Sequence, residues 1–249
     1  LPENIVQPIA VSEGLDITQT VAMPEVVTVE KTATVFTTQE SFAELLSDSQ
    51  PLLRPSDGMV TRLVSGSSIN VGEIVLGLEG FRPELLFNDG VKLTLVGATK
   101  VESSLIEKAR LGLQVHHGKI VVQGSDNGYL KIRLQSGETE FDLDLNGAYA
   151  VAALESVPFQ LANGQINRAV RLFCSQSATV TGLEAVEQAP DANPESITVY
   201  TFFLGNTSMT QASSLPAWAN GFESDSIMEQ ARTEFIDRLS NSDDLVESL

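Results

Sequence analysis

The sequence predicts an all-β chain built from antiparallel hairpins. Three observations carry that expectation. Between Gly58 and Gly124, short runs of alternating apolar residues sit between tight turns. Asn88-Asp89-Gly90 offers the residues that tolerate the positive φ of a tight hairpin, and Val91, Leu93 and Leu95 alternate beyond it. Leu130, Ile132 and Leu134, then Phe141, Leu143 and Leu145, alternate with charged residues on either side of Ser136-Gly137. This rhythm is shared by sandwiches, β-helical stacks and barrel-like closures, which stay open alternatives.

Composition narrows the class. The chain has 249 residues, 42% of them hydrophobic, enough to bury a sizeable core. It carries 33 acidic against 15 basic residues, a formal charge of −18. Such a surface repels phosphate backbones, so no nucleic-acid partner is expected. The single cysteine, Cys174, forbids an intramolecular disulfide, and its apolar run, Val170 to Cys174, reads as buried core. No apolar run reaches the roughly 18 residues of a membrane span. The start at Leu1-Pro2 reads as a piece of a longer or processed protein, with any membrane helix or signal peptide upstream.

Taken in order, the chain divides into an N-terminal segment, 1–50, a β domain, 51–205, and a C-terminal linker with a helix, 206–249. Residues 1–34 are Val-, Thr- and Pro-rich, read as an extended linker or, at Val26, Val27 and Val29, an edge strand. Thr37-Thr38-Gln39-Glu40 resembles a capping box and predicts a short helix through Phe42, Leu45 and Leu46. Strands are expected at 59–64, 69–76, 83–87 and 91–95, with turns at Ser65-Gly66 and Gly77 to Gly80. A weaker strand runs from Leu105 to Leu113. His116 to Lys119 reads as a turn into Ile120-Val121-Val122. After Tyr129 to Leu145, strands follow at 148–154, 169–173, 178–181 and 197–204, with a turn at Asn163-Gly164 and an acidic loop at 184–196. Asn206 to Leu215 reads as polar and flexible. Ser226 and Glu229 stand at capping-box spacing, and Met228, Ala231, Phe235 and Leu239 predict an amphipathic helix.

Few residues suggest chemistry. His116 and His117 are the only histidines; in a turn they could share a metal, on a strand they could not readily, and no further ligand lies at a recognisable spacing. Asp142 and Asp144, with Glu138 and Glu140, form an acidic ladder. Two strand positions apart gives about 6.5–7 Å, near the carboxylate separation of an inverting glycosidase, while outward acids on an edge strand also block aggregation. Phe202, Phe203 and Trp218 suit a core, a lid or a groove. Gly66, Gly72, Gly77 and Gly80 read as turn residues, without a phosphate-loop pattern. No residue is assigned a catalytic, cofactor-binding or metal role, and no cofactor is expected.

The stretch Gly58 to Gly124 resembles the FecR domain. The likeness lies in an order of pieces: Gly58-Met59-Val60; Val71-Gly72-Glu73-Ile74; the hairpin Leu85 to Leu95 around Asn88-Asp89-Gly90; Gly97-Ala98-Thr99; and Leu113 to Ile120, matching "L-x-[LV]-x-x-G-x-[IV]". It spans residues 58–154. The resemblance implies a non-enzymatic, extracytoplasmic all-β domain of a single-pass regulator on the periplasmic side of a bacterial inner membrane. It would act in signal transduction to transcription through contact with another envelope protein. Two other classes stand beside it: a carbohydrate-binding or structural surface β-sandwich, and a glycoside hydrolase using Asp142 and Asp144.

Overall fold

The computed structural model describes residues 41–47, 50–56, 58–106, 110–126, 128–134, 140–145, 147–183, 196–204, 206–221, 230 and 233–237. The expectations for 1–34, for the capping residues 37–40, for Glu138 and for 222–229 lie outside them.

Two long strands, β7 (Lys92–Ile106) and β8 (Arg110–Gln123), form the spine. Each changes partner halfway along. The start of β7 pairs with β6 (Glu84–Phe87) and the end of β8 with β11 (Val151–Gln160). The end of β7 pairs instead with β5 (Ile74–Gly77), and the start of β8 with β9 (Gly128–Leu134), in a parallel pair. Two half-sheets therefore hang on one bent hairpin.

The first half-sheet runs outward from β6 to β1 (Ser41–Leu45) and β4 (Ser68–Asn70). On its other side β11 leads to β12 (Ile166–Cys174), β14 (Ile197–Phe203) and β15 (Asn206–Ala212). The second half-sheet joins β5 to β2 (Leu52–Ser56) and β3 (Met59–Leu63), and β9 to β10 (Glu140–Leu145) and β13 (Ala178–Thr181). The 15 strands among the described residues belong to one continuous sheet, which stays open. The all-β, antiparallel expectation is met, and a closed barrel is not what forms.

The halves face each other as a sandwich. One core cluster takes Leu95, Ile120 and Leu172 from the first half and Leu52, Leu113, Ile132 and Leu143 from the second. Phe141 of β10 stacks on Phe202 of β14, ring centroids 5.7 Å apart and 2° from parallel. Alternation explains the burial: Phe141, Leu143 and Leu145 point in, while Asp142 and Asp144 stay half-exposed between them. A second apolar cluster lies on the outer face of the first half-sheet. Val96, Val121, Ala153, Phe173 and Val199 are covered there by Leu215, Trp218 and Ala219, which follow β15.

The bend itself has a local cause. Register slips between Val96 and Lys100 and again between Lys100 and Val101, so both strands bulge. Gly97 and Gly118 take φ of 66° and 102° there. Thr99 fills the inside of the bend: its hydroxyl donates toward the Val96 carbonyl (2.9 Å) and accepts from the Lys119 amide (3.0 Å).

Several expectations are corrected. The predicted helix through Phe42–Leu46 is strand β1. A bulge between Ser41 and Ala43 lets the adjacent Phe42 and Ala43 both be buried, which breaks the period of two and imitates a helical pattern. Five residues gain little as a helix but much by pairing with β4 and β6. His116 to Lys119 is not a turn; the chain runs on through the bulge of β8, and Gly118 marks that bulge. The expected strand 69–76 is two strands, divided at Gly72, whose φ is 82°. Asn206 to Ala212 is strand β15, not a flexible linker. The sheet thus crosses both expected boundaries of the β domain, with β1 before residue 51 and β15 after residue 205. β10 is no edge strand, because β9 and β13 flank it. β2 lies ahead of the expected first strand at 59–64, with Pro51 just before it and Pro55 within it masking the strand pattern. Residues 233–237 are helical, as expected, and Phe235 packs beside Phe81, centroids 5.7 Å apart.

Candidate functional site

The acidic ladder is a charge lattice. Glu140 bonds Arg133 and lies 3.6 Å from Lys131; Asp142 Oδ1 is 3.9 Å from the same Lys131. These contacts follow from the antiparallel register, which sets Glu140 opposite Arg133 and Asp142 opposite Lys131. Two acids engaged with cations on a central strand hold β9 to β10. Asp144, opposite Tyr129, lies on the same strand face.

The histidines part company. His116 Nε2 lies 3.1 Å from Glu102 Oε2, while His117 lies opposite Lys100. Burial, with the charges of Arg168, Lys100 and His116, holds the His117 imidazole below its ordinary 6.5. Among the described residues no group of three or more His, Cys, Asp or Glu side chains could hold a metal. Cys174 is buried in the core, and burial pushes its thiol up to about 12.

Trp218 is a lid residue rather than part of an open groove. It sits edge-on to Phe173 at 6.5 Å, with Lys119 Nζ 5.7 Å from its ring centroid. Glu155, only 8% exposed, bonds Arg171 and lies 3.6 Å from Lys119, so a charged bridge borders the lid. Arg82 fixes the segment from the far side by donating to the Trp218 carbonyl (2.5 Å) and the Ala219 carbonyl (3.2 Å). Phe202 belongs to the core. Phe203, adjacent on the strand, faces the opposite side and stacks on Phe159 at 5.0 Å, 45% exposed.

Sequence reasoning expects exposed sheet edges that could take up a partner strand but does not locate the one at β15. Among the described residues β15 pairs with β14 alone, so its other side presents backbone donors and acceptors that no described strand takes up. Its residues, Asn206-Thr207-Ser208-Met209-Thr210-Gln211-Ala212, include no charge and no proline. Natural sheets protect exposed edges with such groups; this one is bare. Beside it, at the tips of β11, β12 and β14, lie the exposed Val157, Ile166, Phe203 and Leu204. The signal was present: a β-capable run, Thr207 to Ala212, follows β14 after only residues 204–206. Its polarity concealed it.

This arrangement can bind by main-chain pairing at one edge, next to a small apolar patch. No helix among the described residues is long and apolar enough to cross a membrane. No family model, no curated protein and no solved structure matches this chain.

Proposed function

We propose that this chain is a non-enzymatic interaction domain of a larger, membrane-anchored regulator, working outside the cytoplasm. A strand of another envelope protein would add to the bare edge of β15 and so relay a signal toward transcription. The unprotected edge is the observation that carries this reading: main-chain pairing supplies affinity, and the neighbouring Phe203 and Leu204 supply a side-chain anchor. The resemblance to FecR domains supplies the compartment and the pathway. Its Asn88-Asp89-Gly90 hairpin is the β6–β7 turn, with Gly90 N–H donating to the Phe87 carbonyl at 2.9 Å. Its last hairpin, Leu113 to Ile120, is instead one stretch of the bent β8.

The test places lysines on the edge. Ser208→Lys with Thr210→Lys adds charge along β15 without touching the core. In the full gene product, a photo-crosslinker at Met209 should capture one envelope partner, and the double variant should lose that adduct and the linked transcriptional response. Retention of both with two edge lysines would sink the proposal.

A second reading rests on the exposed Phe159–Phe203 stack, which suits a sugar ring better than a peptide strand. A glycan array with wild type and Phe203→Ala separates the two. Selective glycan binding lost in Phe203→Ala would favour the carbohydrate-binding module.

A further inference from the structure

The β11–β12 hairpin outruns its neighbour. β11 pairs with β8 only from Val151 to Ser156, yet with β12 as far as Gln160. Ser156 lies opposite Gly118, where β8 bulges and turns into the second half-sheet. Residues 157–160 thus overhang the bend. A re-entrant corner forms between the underside of this hairpin and the bulged segment of β7 and β8.

Two buried polar atoms in this corner have no partner among the described residues. One is Ser156 Oγ, on a side chain only 2% exposed; the other is Arg168 Nη1. Strand alternation puts them on one face. Ser156 follows the core-facing Ala152 and Leu154, and Arg168 precedes the core-facing Val170 and Leu172. Ser156 pairs with Val170, so Arg168 is the next same-face residue along β12. Both groups are donors, and folded proteins rarely leave buried donors unsatisfied.

The surrounding charges are mostly positive. His117 adjoins Gly118 and faces Lys100 across the bulge. Neither Lys100 nor Arg168 forms an ion pair among the described residues, although the chain as a whole carries −18. The nearby acid, Glu102, is engaged by His116 at 3.1 Å. Desolvation lowers the proton affinity of Arg168, and that charge in turn disfavours protonation of His117. An anion in the corner would relieve both.

We propose that this corner binds a small oxyanion, a carboxylate or phosphate group, whose oxygens accept from Arg168 Nη1 and Ser156 Oγ while Lys100 and His117 complete the positive wall. The oxyanion is either free in solution or carried on an acidic partner segment. Because it favours the imidazolium form of His117, binding tightens as pH falls.

The ring signals of two histidines make the test direct, with His116→Gln assigning them. Inorganic phosphate is titrated at constant ionic strength against chloride, and a short Glu-rich peptide is titrated in parallel. Phosphate should raise the His117 midpoint by about half a unit or more over chloride. Ser156→Ala should weaken binding by roughly threefold to tenfold, and Arg168→Gln should abolish the response. Saturation by phosphate alone identifies a free-anion site, and saturation only by the peptide identifies an anchor for a partner. Equal responses to phosphate and chloride together with silence toward the peptide, or an unchanged response in Arg168→Gln, would overturn the proposal. If Arg168→Gln fails to fold, Ser156→Ala and Lys100→Gln decide it, and undiminished binding in both would reject the site.

Discussion

Thr99 and Gly118 fit together only because Gly118 has no side chain: a Cβ there would lie 2.4 Å from Thr99 Oγ1 and 2.6 Å from Thr99 Cα. Gly118 also holds φ of 102°, a conformation other residues adopt only with strain. The contact sits where the spine bends from one half-sheet into the other. Gly118→Ala should therefore cost about 3 kcal/mol or more, from backbone strain together with the clash. Urea unfolding checks it, and a loss under about 1 kcal/mol would mean that the bend relaxes freely.

The Thr99 hydroxyl makes the complementary case. It is 1% exposed and serves the Val96 and Lys119 backbone together. Thr99→Val keeps the shape and removes the oxygen. Leaving the buried Lys119 amide without that acceptor should cost about 1–3 kcal/mol. Thr99→Ser, which keeps the oxygen, should recover most of the hydrogen-bonding part.

Cys174 should be inert while the protein is folded. Its side chain is buried in the main core, its strand β12 lies between β11 and β14, and its thiol, pushed up to about 12, stays protonated at neutral pH. A thiol reagent at pH 8 should modify it only at the rate of global opening, and fully in urea. Fast native labelling would show that β12 opens locally.

The sequence yielded most where the period of two was unbroken. Phe141, Leu143 and Leu145, or Val91, Leu93 and Leu95, could be assigned to the core residue by residue. It misled where bulges shift that period. The bulge in β1 imitated a helix, and the bulge at His116–His117 imitated a turn, because a glycine beside polar residues is the usual mark of a turn. Nor could local pattern show that β7 and β8 each serve two half-sheets. That depends on pairing across many residues, and so does the corner holding Ser156, Lys100, His117 and Arg168. The edge at β15 escaped for the opposite reason: a strand exposed on both faces has little hydrophobic pattern to read.

His117 gives the folded protein a sensitivity to acid. Its folded-state pKa lies below the ordinary 6.5 because burial and the charges of Arg168, Lys100 and His116 disfavour the imidazolium. The unfolded chain then binds more protons near and below pH 6.5, so stability falls as pH drops through that range and is unaffected above it. The group is only partly buried, so screening keeps the effect well under the about 1.4 kcal/mol per pH unit of one fully coupled proton. Wild type should lose more of its urea midpoint between pH 7 and 5.5 than His117→Gln. Parallel profiles would remove His117 from the account; Glu102 and His116 are unaltered in both proteins, so the comparison isolates it.

Trp218 is the only tryptophan, and it reports on the segment that closes the outer face of the first half-sheet. Two kinds of contact hold that segment. Leu215, Trp218 and Ala219 bury apolar surface against Phe173, Val121 and Val199, while Arg82 binds the carbonyls of Trp218 and Ala219. The two contributions separate by mutation. Trp218→Ala uncovers the Phe173 cluster and should cost roughly 2 kcal/mol, less than a fully buried aromatic because the indole is half-buried. Arg82→Ala leaves the apolar contacts in place but removes charge-assisted bonds to two carbonyls. It should loosen the segment before it loosens the sheet, with emission shifted to the red and acrylamide quenching increased well below the unfolding midpoint. A pure packing role predicts the reverse order, in which emission stays fixed until the whole sheet melts. Were Arg82→Ala to leave emission and quenching unchanged, the hydrophobic cover alone would hold Trp218 in place.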